Sequence, residues 1–517
     1  MRSHAHLLFL YVALGCGGDE DGSYPDRPLQ VANGGGGVVV SDDVPIDCGR
    51  VCQHQLRGAW DPITLRAVPD GDEVFLGWGG DCTGTGPCTL GAVPSAFVVA
   101  EFGPVGPVAA HPLSPTPSSW AYRTTVSAGA IVTIVENEAV GGNTWELVAS
   151  EPAGADRWRL PLSLVDGGWP SLPVLESSGS RTVLAGSFFR SFTVGARTVS
   201  LPGRGCFFAV IDNGVTLENT ALECGTGLVE AATWVGETLW LSGSFSGTMT
   251  IGGIDLVSQG GLDGFVAGRT AAGTWHAVAL GGAGDDVAMA IAPGASDDGV
   301  AVLTHSQQPA MAPGLGLPPG LVLLEASADA GTWSLRTDLG AVDARRAELL
   351  RLEQGHVVAA SFTAADGLAT SGYSDVLLAR LDASGAVAWR RTIASTGADR
   401  LGGISTLGDE LLVAGAFQGI LDLDGHQLAA NEYSPFTALD LDQTNDGMIL
   451  ALSTSTGASS WVRQVGGPGQ ESFLDVATIA GRTFLVGGLG YGSTIQHLLA
   501  RPTPAPGATL IEWGRRP

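Results

Sequence analysis

Asp263-Gly-Phe-Val-Ala…Gly273-Thr-Trp275, Asp375-Val-Leu-Leu-Ala…Gly385…Trp389 and Asp446-Gly-Met-Ile-Leu-Ala…Gly457…Trp461 are three copies of one degenerate unit that closes on a tryptophan. Intervals of 58, 56, 72 and 52 residues separate Trp275, Trp333, Trp389, Trp461 and Trp513. Trp158 stands two units before Trp275, and the missing tryptophan between them falls at about Leu217. Counted from Trp120, the series has seven intervals, the first of them short. Self-similarity at this period is the mark of a radial or solenoid architecture.

Inside a unit, a Gly-rich turn such as Gly281-Gly-Ala-Gly-Asp-Asp286 or Gly466-Gly-Pro-Gly-Gln470 follows the tryptophan. An apolar strand comes next and ends on phenylalanine, as in Val183-Leu-Ala-Gly-Ser-Phe188, Leu239 to Phe245, Val357 to Phe362 and Leu412 to Phe417. A polar hairpin then leads into the Asp-x-x-x-x-Ala strand and the Trp strand. That makes about four short strands per unit, and no window carries a sustained helical period. Four strands repeated seven times predict an all-β chain whose 120–517 region is a β-propeller of seven blades, because radial closure leaves only short, protected edges. A parallel β-helix is the rival, but its repeats are usually half this length or less. The unit is similar to the SBBP family of bacterial β-propeller repeats.

Upstream, residues 34–102 form a separate pattern. Period-2 alternation in Ile63 to Ala67 and Val98 to Phe102, cut by Gly, Pro and Asp turns, predicts short antiparallel strands. Asp47-Cys48-Gly49, Cys52, Leu65-Arg-Ala67, Phe75-x-x-Trp78-x-Gly, Asp81-Cys82, Cys88 and Ala100-Glu-Phe102 give this stretch its character. It resembles the divergent InlB-type B-repeat, or bacterial repeat domain, which implies a small extracellular β-module with no catalytic residues to carry over. Phe75 and Trp78 read as its core rather than as a sugar-stacking face. The Pro-rich passage 103–119 predicts a semi-rigid linker and a domain boundary.

The first residues predict the address. Arg2 and the run Leu7 to Leu14, residues 1–16 in all, make an export signal too short to span a bilayer. Ala13-Leu14-Gly15-Cys16 resembles the lipobox of bacterial lipoproteins, where the cysteine becomes the acylated N-terminus; plain secretion is the alternative. Residues 17–33, with Asp19-Glu20-Asp21, read as an acidic tether. With Cys16 assigned to lipid, Cys48, Cys52, Cys82, Cys88, Cys206 and Cys224 remain, an even set for three disulfides in an oxidising compartment. Zinc at Cys48, Cys52, Cys82 and Cys88 is a weaker reading of loose spacing.

The chain has 517 residues, 52 acids against 26 bases, a net charge of −26 and no lysine. Such a surface repels phosphate backbones, so nucleic acid is not an expected partner. The Ser and metal motifs of hydrolases are absent from the sequence, and without lysine no Schiff base can form. Asp422-x-Asp424-Gly and Asp440-x-Asp442-x-x-Asn445-Asp446-Gly resemble calcium loops superficially but lack the closing bidentate Glu. The expectation is therefore a non-catalytic lipoprotein with no cofactor or metal, exported to the cell envelope (the outer membrane, or secreted). It would touch the membrane through its lipid alone and bind proteins or glycans through propeller loops. The alternative is an exported glycan-directed enzyme using carboxylates at the propeller axis. Local function is expected where the repeat fails: the short first unit, the Cys206–Cys224 unit without its tryptophan, and the long unit around His426 and Asn431-Glu-Tyr-Ser-Pro435.

Overall fold

The computed structural model describes residues 27–515, apart from 49–50, 57–61, 71–72, 92–94, 104, 117–118, 139–141, 166–172, 296–297, 366–369, 431–444, 467–470 and 490–506. The signal, Cys16, the first part of the tether, Asn431 to Pro435, and Asp440 with Asp442 lie outside these residues. All described regular structure is β.

The N-terminal module is two four-stranded sheets. One runs in the order Gln53–Leu56, Arg27–Asn33, Ala96–Phe102, Phe75–Gly80, and the other Asp47–Cys48, Gly37–Ser41, Ile63–Pro69, Cys88–Leu90. Leu29, Val31, Leu65, Val98 and Phe102 face one another between them, each at most 3% exposed. Trp78 belongs to that core: it is 7% exposed, stacks edge-on against Phe75 at 4.9 Å, and donates its Nε1–H to the Gly86 carbonyl. Disulfides Cys48–Cys52 and Cys82–Cys88 staple the module.

Two boundaries differ from the sequence expectation. Arg27–Asn33 is not tether but a central strand, paired antiparallel with Gln53–Leu56 and parallel with Ala96–Phe102. Its Leu29 and Val31 are fully buried between those partners. The 103–119 passage is not a linker either. Val105–Pro112 pairs antiparallel with Gly507–Arg515, and Ser119 already opens the next strand. Prolines are tolerated there because the strand is the outer edge of its sheet, where unpaired N–H positions are available. The module also packs on the repeat region. Arg463, 2% exposed, bonds Glu73 at 2.9 Å, Gln464 donates its backbone N–H to Gly34, and Ala429 joins the module core.

The rest is a β-propeller of seven four-stranded units. The eight-stranded sheet divides into units 1 and 2 where Asp156–Leu164 and Arg181–Val194 pair over Leu162 to Leu164 alone. The inner strands, one per unit, are Ser119–Ser127, Val174–Ser178, Leu228–Val235, Asp286–Pro293, Val342–Arg351, Arg400–Leu407 and Ser472–Ile479. Each lies beside the next, and the last lies beside the first. The outer strand of unit 7 is Val105–Pro112, supplied from the N-terminal side. Second and third strands are apolar on both faces because neighbouring units cover both, the pattern of a strand buried on each side. Phe188, Phe245, Phe362 and Phe417 stand at 0% exposure on the second strands, which end at Phe245 and Phe417 in units 3 and 6 and run on to Val194 and Ala365 in units 2 and 5.

This register corrects the tryptophan frame. Trp158, Trp389 and Trp461 stand on outer strands opposite Ala149, Arg380 and Ala451. Trp513 is on a third strand and Trp120 on an inner one, so the first interval is short because the count began and ended inside units. In unit 2 the place opposite Val210 belongs to Glu218, with Leu217 in the bulge before it. The tryptophans pack between units: Trp275 meets Phe208 of unit 2 edge-on at 5.6 Å, and Trp389 donates to the Thr454 carbonyl of unit 6 at 2.9 Å.

Acids close the junctions between units. Asp263 and Asp375 open third strands, Asp286 opens the inner strand of unit 4 and Asp399 stands just before that of unit 6; each accepts the backbone N–H four residues earlier, at 2.9, 3.0, 2.8 and 2.6 Å in turn. In unit 2 the third strand carries Cys206 instead, one residue past Gly205, and the disulfide Cys206–Cys224 ties it to the junction into unit 3. Cys206→Ser with Cys224→Ser should cost about 3 kcal/mol, the loop-closure value for a loop of this size. Denaturant unfolding of the double variant checks it, and a change below about 1 kcal/mol would show that apolar packing alone holds the junction.

Candidate functional site

All seven inner strands line one cavity of about 280 Å³ at the propeller axis. The inner strands of units 1, 2, 3, 5 and 7 contribute Arg123, Glu176, Glu230, Glu348 and Asp475 to its wall, while units 4 and 6 present uncharged residues there. Alternation along a strand turns every second side chain to the same face, so each short inner strand presents a few residues to the axis.

The acids there fall into two groups. Glu348 accepts from Arg123 Nη1 at 2.5 Å, from Arg346 Nη2 at 3.1 Å and from the Ile404 amide at 3.2 Å. Asp475 accepts the Thr124 amide at 2.9 Å, and Arg123 lies 4.0 Å from it. Arg346 reaches on to the Gly402 and Leu474 carbonyls. One network thus ties the inner strands of units 1, 5, 6 and 7. Burial alone would raise the Glu348 carboxyl, but Arg123 and Arg346 hold it below its ordinary range. Asp475 goes the other way: burial pushes it up to about 7, against the pull of Arg123.

Glu176 and Glu230, on the adjacent inner strands of units 2 and 3, make no ion pair among the described residues. Burial, then the nearby Asp475 carboxylate, pushes Glu176 up to about 8. Burial also raises Glu230, offset in part by Arg123 and Arg204. The axis therefore holds four carboxylates, two engaged in strand-to-strand contacts and two open to the cavity.

The other residues marked by the sequence lie apart from the axis. Asp424, at a turn with φ 54°, binds Arg391 through both oxygens at 2.7 and 2.5 Å and accepts from Ser459, so its carboxylate is held well below the usual range first by Arg391. Asp422 accepts from Gln427. These contacts make a clasp between units 5 and 6. His426 starts the second strand of the hairpin Ile420–Leu423 and His426–Ala429, beside the module. Among the described residues, no group of three or more His, Cys, Asp or Glu has the geometry to hold a metal ion. Sequence spacing did not single out Arg123, Glu176, Glu230, Glu348, Asp475 or the Arg346 that braces them. Their only signal is a charged residue near the middle of the inner strands of units 1, 2, 3, 5 and 7, visible once the units are in register.

The chain matches no family model and no curated protein. Solved structures similar to it include an ancestral GH74 enzyme (11% identity, covering 96% of this chain and 73% of that one, TM-score 0.40). Sqt1 from Chaetomium thermophilum is similar at 11% identity over 74% of this chain and 95% of that one, TM-score 0.39. The endosialidase of phage phi92 is similar at 9% identity over 82% and 72%, TM-score 0.38. No activity is carried over from them.

Proposed function

We propose that this chain is a non-catalytic binding or scaffolding module for proteins or glycans, exported to the bacterial cell envelope and anchored there by a lipid on Cys16. The observation that carries the reading is the state of the acids at the axis. Glu348 and Asp475 have their acceptors filled by arginine and backbone amides from neighbouring inner strands, which is what a strand-locking network needs and what an acid–base pair working on a substrate does not. Three disulfides and a rigidly packed N-terminal module suit a protein that works outside the cytoplasm.

Cys16→Ser should move the protein from the membrane fraction of its native cells to the soluble fraction, because stable anchoring needs more than one acyl chain. An unchanged membrane fraction would sink the lipid anchor. Capture of partners from the native cell surface by the purified chain then tests the binding role.

The alternative, a glycan-directed enzyme, draws on Glu176 and Glu230. A neutral Glu176 beside a second carboxyl has the acid and base that glycosidic cleavage uses. Release of soluble sugar from envelope glycans that vanishes in Glu176→Gln would favour it.

A further inference from the structure

Between units 2 and 3 the repeat leaves a space that a tryptophan fills at the junctions after units 1 and 5. A Cβ added to Gly214, in the turn of unit 2 that faces unit 1, would lie 2.9 Å from the Trp158 ring; one on Gly457 would lie 2.8 Å from Trp389. In unit 2 the tryptophan position is Glu218, after the bulged Leu217. The corresponding turn of unit 3 is open: a Cβ on Gly273 would meet nothing within 4 Å. Loss of one indole has become a cavity of about 210 Å³, walled by Leu217 and Glu218 from unit 2 and by Trp234, Leu239 and Thr270 from unit 3.

The chemistry of the wall is mixed and balanced. Arg181 pairs with Glu237 at 2.5 Å, and its guanidinium lies 4.8 Å over the Trp234 ring. Arg269 pairs with Glu218 at 3.1 Å. Each cation in the wall therefore has its own carboxylate, and the cavity carries no net charge. The Trp234 Nε1–H is closed off from solvent and so points away from the cavity, leaving the two guanidinium–carboxylate pairs as the polar groups of the wall. An anion or a cation entering here would meet like charge as closely as opposite charge. A ring with neighbouring hydroxyls would not, because each hydroxyl both donates and accepts and the guanidinium–carboxylate pairs offer both. Its C–H face would lie on Leu217, Val210 and Leu239.

We propose that this inter-unit cavity is a binding site for a neutral sugar ring, the terminal residue of a glycan. The volume is below the roughly 300–1,000 Å³ of pockets for drug-sized ligands, which suits one ring. The site rests on the binding reading above and narrows its ligand.

The test is an array of neutral and charged glycans probed with the whole chain, repeated with two variants. Glu218→Trp restores the side chain that units 1, 5 and 6 carry at this place. Arg269→Met removes one of the two guanidiniums that the hydroxyls would meet and keeps the apolar stem. Neutral glycans should bind the unaltered chain, Glu218→Trp should lose at least about tenfold in affinity, and Arg269→Met about fivefold, the worth of one hydrogen bond. Matching melting curves confirm that both variants fold. Binding of charged glycans only, no glycan binding at all, or undiminished binding by both variants would overturn the site. If neutral glycans fail while envelope proteins are still captured by the chain and by Glu218→Trp alike, the sugar site falls and the wider binding role stands. If neither is captured, both fall.

Discussion

Arg123→Ala should destabilise the folded chain by about 3–5 kcal/mol at neutral pH, the cost of removing one partner from a buried ion pair. Arg123 and Glu348 are each less than a fifth exposed and come from inner strands of units 1 and 5, across the axis. The loss comes less from the attraction removed than from what remains. Glu348 keeps Arg346, but Asp475 is left with backbone amides and no cation at 4.0 Å. The remedy available to a stranded carboxyl is to take up a proton, and without Arg123 the Asp475 carboxyl climbs further above its ordinary range. The penalty of Arg123→Ala should therefore shrink as pH falls from 8 to 5. Denaturant unfolding at both values is the measurement. A penalty under about 1 kcal/mol, or one independent of pH, would mean that the ring of inner strands does not lean on this network.

The same network explains how much of the protein could be read in advance. Strand class and unit length were legible because apolar alternation and a recurring tryptophan are local signals, set by the pleat and by the space between units. Trp158, Trp389 and Trp461 keep that role in the structure. The ends were not legible, because membership of a sheet is a matter of pairing partners. Val105–Pro112 reads as a Pro-rich linker and becomes the outer strand of unit 7 only through Gly507–Arg515, some 400 residues away in sequence. Arg27–Asn33 hides in the tether for a related reason: an apolar Leu29 and Val31 need Ala96–Phe102 beside them to mean strand.

The axial charges were least legible. Arg123 and Asp475 each sit singly in their strands and Glu348 sits in a highly charged one, so each looks like part of an exposed face, and only seven strands around one axis bring them together. The inter-unit cavity lay between these extremes. The failure of the repeat near Leu217 was plain in the sequence, whereas the bulge that puts Glu218 in the tryptophan's place depends on register against Val210. A missing repeat residue is thus informative in proportion to how tightly the others are packed. Had the remaining tryptophans been exposed, the absence of one would have opened nothing.

Stability should fall as pH rises from about 4 to about 8 and should level off above that, and Asp399→Asn should flatten the curve. Asp399 and Asp375 are both 0% exposed and face each other across the junction of units 5 and 6, where one oxygen of each can pair only with the other carboxyl through a shared proton. Each uses its second oxygen to accept an amide, from Ser395 and Ser371 respectively. Burial, helped by the Asp375 carboxylate, pushes the Asp399 carboxyl up to about 7 from an ordinary 3.8. Asp375 is raised as well, chiefly by burial. Between the two Asp399 values the folded chain holds a proton that the unfolded chain has released, so the folded state loses ground with every unit of rising pH. Across that window the effect is on the order of 4 kcal/mol for Asp399 alone. Asp475, raised to about 7, and Glu176, raised to about 8, act in the same direction and extend the slope upward. Asp424 and Glu348, held below their ordinary range, oppose it only at the acid end. An asparagine at 399 can still accept from Ser395 while its amide donates to Asp375, which reproduces the protonated pair without a proton to lose. Asp399→Asn should therefore match the unaltered chain near pH 4.5 and exceed it by on the order of 3 kcal/mol at pH 8. Melting and denaturant curves across that range decide the matter: a variant that runs parallel to the unaltered chain at every pH would show that the Asp375–Asp399 junction carries no linked proton.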